Sequence, residues 1–328
     1  MRAALIKDFG PPVSLRVEEV ADPTPGPGEV VIEVAAVSVN FPDILVVEGS
    51  YQNLPQRPFI PGKEAAGRVI AAGAGVERIS AGQRVLALVE YGGFAEKLVV
   101  AEDLVIPLPD EVDFDTAAAA GLVYSTAHLG LFRRGGLQTG ETALITGAGG
   151  GVGAAAVQLA KARGARVIAL VHDEARGDLV RRLGADVVLT SPPNALRDDV
   201  LTATGGAGAD VVLEMLGGDY LTQAVRATAW EGRIVIVGFA SGGQNPIKPG
   251  HLLVKNISVA GLQSSDYRDR MPSFMRAGMA EVLEMFARGE LDAAIDTTFP
   301  LEQVGDALQY VKDGKVKGKV VVTTGLGR

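Results

Sequence analysis

A β-rich first third followed by a doubly wound parallel sheet of six strands is the α/β architecture this sequence predicts. Three observations carry it. An apolar strand near residue 144 runs into Gly147-Ala148-Gly149-Gly150-Gly151-Val152-Gly153 and then into a segment of helical spacing. From about residue 121 onward, short continuous apolar runs alternate with helical stretches, the rhythm of strands buried on both faces. Before residue 120 the strand-like runs are separated instead by Pro and Gly clusters, with no helical rhythm between them.

In chain order, strands are expected at residues 3–6, 15–20, 30–39, 66–72, 85–89 and 94–100. Pro23, Pro25, Gly26, Pro27 and Gly28, then Gly73 and Gly75, then Gly92 and Gly93 punctuate them. The parallel strands fall at 143–146, 166–171, 186–189, 210–213, 234–237 and 257–260, with a helix at 152–163 that stops at Gly164. Two further helices are expected at 281–288 and 301–311, and a last strand at 319–323. The domains divide as 1–120, completed by 263–328, and 121–262.

The glycine segment reads as a nucleotide cradle. Backbone N–H groups at the helix start face a pyrophosphate, and glycines let the backbone approach it. Gly150 and Gly153 take the second and third positions of the dinucleotide fingerprint, with Gly151 and Val152 between them; Ala148 takes the first, so the strict pattern is not met in that register. The alternative is a loop that only turns the chain.

A formal charge of −8 over 328 residues gives no basic field for nucleic acid or an anionic membrane. The run from Met1 to Lys7 has no signal-peptide character, and residues 117–132, which contain Tyr124, Ser125, Thr126 and His128, are short for a membrane span, so a cytoplasmic protein is expected. There are no cysteines, and the three histidines, His128, His172 and His251, lie far apart. Disulfides, thiolate metal sites and a cysteine nucleophile are thereby excluded, and no G-x-S-x-G elbow supplies a serine. The chemistry is expected to belong to a cofactor.

Several ordered motifs together resemble the zinc-free quinone oxidoreductase, zeta-crystallin-like branch of the medium-chain dehydrogenase/reductase superfamily. They are Val39-Asn40-Phe41-Pro42-Asp43, Gly49-Ser50-Tyr51, Pro61-Gly62-Lys63-Glu64-Ala65-Ala66-Gly67, Gly92-Gly93-Phe94-Ala95-Glu96, Ser125-Thr126-Ala127, the glycine loop, and Val237-Gly238-Phe239-Ala240-Ser241-Gly242. The resemblance implies a GroES-like β-domain formed by both chain ends, a Rossmann domain, an active site in the cleft between them, and a homodimer joined through the strand from Ile257 to Leu262. It also bears on metal. Zinc alcohol dehydrogenases of the superfamily carry a cysteine where Asn40 stands and a histidine where Lys63 stands, and a cysteine-rich loop that is absent here. No metal is expected, and reduction of an already electrophilic acceptor is favoured over alcohol oxidation.

NAD-preferring sheets end their second strand with a carboxylate, and the matching place here holds Val171, followed by His172. Related reductases carry a lysine for a 2′-phosphate where Arg176 stands, which points to NADPH. Asp173 as a helix cap counts mildly against phosphate, and a solvated Arg176 and an uninvolved His172 are the alternatives. The family pattern places Thr126, Phe239 and Ser241 around the nicotinamide and its ribose, with Asn40 beside them; Phe239 has core packing as its alternative. Lys317 and Lys319 read as a solvated face, with an approach to the cofactor from the tail as the alternative.

Hydride transfer to a quinone or an enone builds negative charge on oxygen. Tyr51, at the spacing from Asn40 that the resemblance associates with a proton donor, is the candidate catalytic residue together with Asn40; an aromatic lid with solvent as proton source is the alternative. Leu45 stands where some relatives carry a second tyrosine. Asp43 reads as a helix-start carboxylate or a proton relay, Lys63 as a turn cation with a buried stem, and Glu64 as an inward-pairing group. The expected function is an NADPH-dependent, zinc-independent reductase of quinones, enones or alkenals. The alternatives are a 2-enoyl thioester reductase acting on coenzyme A or carrier-protein substrates, with Arg268, Arg270 and Arg276 as a basic rim, and a nicotinamide-binding protein with little catalysis.

Overall fold

The structure, a computed structural model, describes residues 1–326. The chain divides into two compact units, one made of Met1–Leu122 with the segment from Ser265 onward, the other of Val123–Ser264. The division falls inside the helix Phe114–His128.

The first unit is built around Glu29–Val39, a strand of mostly β-branched and small apolar residues that is buried along nearly its whole length. It pairs antiparallel with Glu64–Ala72, with Lys97–Ala101 and with Lys319–Thr323. The sheet continues through Arg84–Leu88 and Val105–Pro107 on one side and ends at Ile295–Pro300 on the other. The expected final strand therefore forms, and its register sets Val320 opposite Val39 and Thr323 opposite Ala36. Behind it the helix Val304–Lys312 adds Ala307 and Leu308 to the same core as Ile32, Val34, Val322 and Phe94. Strand Glu64–Ala72 approaches so closely that a Cβ on Gly67 would lie 2.0 Å from the Glu33 carbonyl oxygen.

The short strand Val105–Pro107 was not expected, and two further differences have readable reasons. The helix expected at 281–288 starts at Pro272, and its buried Met275, Met279, Val282 and Leu283 hold the four-then-three spacing of one face. Ile295–Pro300 is a strand that the sequence reading omitted; its residues alternate between half-buried and exposed, as suits an edge strand, and Asp296, Thr297 and Thr298 give no apolar run.

The second unit is a six-stranded, wholly parallel sheet in the order Val187–Leu189, Arg166–Leu170, Thr142–Ile145, Ala209–Glu214, Thr228–Ile236, Ser258–Gly261. This is the Rossmann order, and the direction of winding reverses between Thr142–Ile145 and Ala209–Glu214. The glycine segment follows Thr142–Ile145 directly and feeds the helix Gly151–Ala162, so the cradle opens at the carboxyl end of the strand beside the switch point. Leu144, Ile168, Val212 and Ile234 are fully buried between the helical layers. Among the described residues no helix is long and apolar enough to cross a membrane.

The tail is structural to the first unit, so Leu308→Ala, at a fully buried position, is expected to cost about 2–5 kcal/mol. A urea titration followed by circular dichroism would show a lowered midpoint; an unchanged midpoint would mean that the tail helix contributes no core.

Candidate active site

In the second unit the chain turns at Gly147, whose φ of +64° favours glycine. Ala148, the residue in the first fingerprint position, is fully buried beside it. The tight turn that this position normally supplies is thus made one residue earlier than the sequence register suggested. Gly153 is needed for close packing: a Cβ there would meet the Gly147 carbonyl oxygen at 2.4 Å and the Ala148 Cα at 2.5 Å. A Cβ on Gly150 would find only the Gly147 oxygen, at 3.4 Å. The chain itself therefore crowds Gly153 but leaves the face over Gly150 open to close approach. Helix Gly151–Ala162 begins with Gly150 as its cap, without a side-chain cap and without acidic residues in its first turn. Its positive end, with the N–H groups of Gly151, Val152 and Gly153, suits an anion.

Arg176 belongs to this cradle. Asp173 caps the helix Glu174–Arg182 by accepting the Arg176 N–H at 2.9 Å, and its second oxygen pairs with the Arg176 guanidinium. The arginine stem lies across Gly149, where a Cβ would come within 2.7 Å of Arg176 Cδ. His172 is exposed on the loop before the helix. Thr126 is buried in Phe114–His128. Phe239 is 42% exposed, so it is not core. Its ring edge closes on Gly217, where a Cβ would lie 2.9 Å from it. Ser241 Oγ donates to the Leu216 carbonyl at 2.6 Å, and the Ala240 and Ser241 N–H groups donate to Met215 and Leu216.

The anchor of that pair of loops was not found in the sequence. Glu214, fully buried at the end of Ala209–Glu214, accepts from Thr146 Oγ1 at 3.1 Å and from the Leu216 and Gly217 N–H groups at 3.0 Å. Burial pushes its carboxyl above the usual range, against these donors. The available signal was a glutamate ending an apolar strand just ahead of Gly217 and Gly218, where a buried carboxylate needs backbone donors.

In the first unit, Asn40 ends the central strand and starts the helix Phe41–Val47. Its N–H donates to Asp43 Oδ2 at 2.9 Å, its Nδ2 donates to Glu64 Oε1 at 2.7 Å, and its Oδ1 accepts from Lys319 Nζ at 2.8 Å. Glu64 also accepts from Ser38 Oγ and from the Leu122 N–H. Glu64 thus pairs inward as expected. Lys319 does not lie on a solvated face: it is 6% exposed, and burial pushes its ammonium pKa down. Asp43 is fully buried, and its Oδ1 has no hydrogen-bond partner among the described residues. Burial pushes its carboxyl up to about 7, with Lys63, the Asn40 N–H and Lys319 pulling the other way.

Lys63 is more than a turn cation with a buried stem, because its side chain is 3% exposed and its ammonium is itself enclosed. It pairs with Glu90 at 2.7 Å, and Glu90 pairs through its other oxygen with Arg268 at 2.6 Å. The ammonium lies 4.2 Å from the centroid of the Tyr51 ring and 5.2 Å from that of Tyr91. Arg268 is therefore removed from the expected basic rim, and Arg276 is bound to Asp103 at 2.8 Å; Arg270 alone is largely exposed, 3.9 Å from Asp266. Asn40 and Tyr51 stand in the first unit, whereas Thr126, Gly150, Gly151, Val152, Gly153, His172, Arg176, Phe239 and Ser241 stand in the second.

Comparison with known proteins finds family matches in both units. The alcohol dehydrogenase GroES-like domain family matches residues 26–110, and the zinc-binding dehydrogenase family matches residues 151–280. A quinone oxidoreductase-like protein 2 homolog of Nematostella vectensis is 36% identical over 98% of this chain and 89% of its own length. The quinone oxidoreductase of Rattus norvegicus is 32% identical over 98% of this chain and 97% of its own. A mycobacterial structure described as complexed with NADPH superposes with a TM-score of 0.91 at 30% identity, covering 98% of this chain and 100% of that one. The fold and these relatives define a medium-chain dehydrogenase/reductase. Within that superfamily the chain belongs to the quinone oxidoreductase branch.

A zinc ion does not fit the residues present. An amide and an ammonium already engaged by Glu64 and Glu90 stand at the two positions where the resemblance put zinc ligands. Among the described residues no group of three His, Cys, Asp or Glu side chains is placed to hold a metal.

Asp43 makes stability depend on pH in a definite direction. An unfolded Asp titrates near 3.9; the folded value is about 7. Between the two the native state keeps a proton that the unfolded chain has released. This group's stabilisation is therefore full at low pH and is lost as pH rises through the folded value. Asp43→Asn removes the dependence, so its urea midpoint is expected to gain on the wild type as pH is raised from about 5 to about 8. Two midpoints running parallel over that range would show that Asp43 is ionised throughout.

Proposed function

We propose that this protein is an NADPH-dependent, zinc-independent reductase that delivers hydride to quinones or to other α,β-unsaturated carbonyl compounds such as enones and alkenals. The observation that carries the reading is the uncapped start of helix Gly151–Ala162 with the Arg176 stem laid across Gly149. The N–H groups of Gly151, Val152 and Gly153, beside the open face of Gly150, would hold the pyrophosphate. Arg176, fixed over the loop by Asp173, meets the 2′-phosphate with His172 beside it. Val171, rather than a carboxylate, follows the second strand, and the nearest carboxylate, Asp173, is engaged by Arg176.

Thr126, Phe239 and Ser241 flank the nicotinamide end, with Phe239 held against Gly217 and Ser241 strapped to Leu216. The dihydronicotinamide supplies a hydride when bound. The chain's own task is to meet the negative charge that develops on the acceptor oxygen. Tyr51 is the donor, a neutral O–H at neutral pH. Asn40, with both ends of its amide engaged, positions the strand end and helix start from which Tyr51 follows rather than touching the reacting atoms. The unpaired edge of Ser258–Gly261, which lies outermost in its sheet, supports a homodimer. A thioester reductase finds no support in the proposed rim, since Arg268 and Arg276 are held by carboxylates.

The test is oxidation of NADPH and NADH by chelator-treated protein against a small quinone, an alkenal and a short enoyl coenzyme A thioester. NADPH loss with quinone or alkenal, little with thioester and no effect of the chelator is expected. Thioester preference, or loss of activity with the chelator, would overturn the reading. Arg176→Ala is expected to raise KM for NADPH about tenfold or more, as befits a charge-assisted contact, and to leave KM for NADH nearly unchanged. Tyr51→Phe should lower kcat by about 10²-fold or more, and an unchanged kcat would make Tyr51 a lid.

A further inference from the structure

We propose that Lys63 is a positioning residue that acts through Tyr51, holding a fixed positive charge against the phenol ring so that its O–H donates more readily to the acceptor oxygen. The proposal rests on the reading of Tyr51 as the donor. Burial settles the manner of action: a side chain that is 3% exposed does not meet a substrate itself, whereas Tyr51 is half-buried and keeps an accessible face. The ammonium sits 4.2 Å from the Tyr51 ring centroid, within the range of a cation–π contact.

When the phenol gives its proton to the acceptor oxygen, after hydride reaches the acceptor carbon, the phenolate charge spreads into the ring that Lys63 faces. The cation then interacts more strongly with the phenolate than with the phenol, so it favours the transfer. Water returns the proton to the phenolate afterwards.

Tyr91, at 5.2 Å from the same ammonium, is not the group served. Its hydroxyl donates to the Asn53 carbonyl, and burial beside Glu90 holds its phenol well above the usual range. Glu90 would cancel Lys63 if it stood alone. It is shared with Arg268 at 2.6 Å, and Arg268 is shared in turn with Asp269 at 2.7 Å. The other charged groups of the neighbourhood are Asp43, which Lys63 stabilises as a carboxylate, and the Glu64 and Lys319 pair linked through Asn40.

The experiment compares the wild type with Lys63→Arg and with the charge-balanced Lys63→Met/Glu90→Gln, which leaves no orphaned carboxylate. Each is studied with Tyr51 and with Tyr51→Phe. The ultraviolet difference between members of each pair reports Tyr51 phenolate as pH is raised, and NADPH fluorescence confirms an intact second unit. Phenolate is expected about one pH unit higher in Lys63→Met/Glu90→Gln, with Lys63→Arg restoring the wild-type position. In turnover, kcat is expected to fall roughly tenfold without the cation, and to fall no further when Tyr51→Phe is already present. An unmoved phenolate titration overturns the proposal, as does an equal kcat loss in the Tyr51→Phe background. Wild-type protein that turns over no acceptor, while its phenolate still moves with Lys63, overturns the reductase reading and leaves the link between the two side chains standing.

Discussion

A carboxylate sealed from water must be surrounded by donors or be protonated, and in the first unit that demand falls on Glu64. It gathers Ser38 from the central strand, the amide of Asn40 from the strand end, and a backbone N–H of Leu122 from the helix Phe114–His128. Helix and carboxylate approach so closely that a Cβ on Gly121 would fall 2.1 Å from Glu64 Oε2. Through Asn40 the same carboxylate is tied to Lys319. One charged group thus fixes where the strand ends, where the helix passes and how the tail is threaded. Burial opposes ionisation of Glu64 and of Lys319 alike, and each favours the charged form of the other.

The second unit solves a parallel problem with backbone instead of side chains. Glu214 is satisfied by Thr146 and by two N–H groups of the turn that follows it. That turn carries the carbonyls that hold Ala240 and Ser241. The loop that carries Phe239 and Ser241 is thereby given a defined shape at the carboxyl end of the sheet.

Legibility in the sequence followed the kind of force involved. The Rossmann strands were visible because burial on both faces leaves continuous apolar runs, and the glycine cradle because close approach admits only glycine. Arg176 and Tyr51 were named through the family resemblance rather than through any pattern of burial. Apart from Glu64, what stayed hidden was charge placed indoors. Lys319 reads like any lysine near a chain terminus, and only its register opposite the end of the central strand carries it beneath Asn40. Lys63 shows nothing in its own segment of the distant Arg268 that makes its partner Glu90 a shared one. Ile295–Pro300 was missed for the converse reason, since an edge strand needs no apolar pattern.

The threading of the tail also bears on the order in which the molecule is made. Strand Lys319–Thr323 fills a place beside Glu29–Val39, yet it is translated after the whole of the second unit. Until then the edge of the earlier strand is open and the carboxylate of Glu64 lacks the cation relayed by Asn40. The unit whose synthesis begins first cannot complete its sheet until the other has been translated, and the nascent chain carries an uncovered stretch of strand edge throughout that interval, which is where a ribosome-associated chaperone has something to protect.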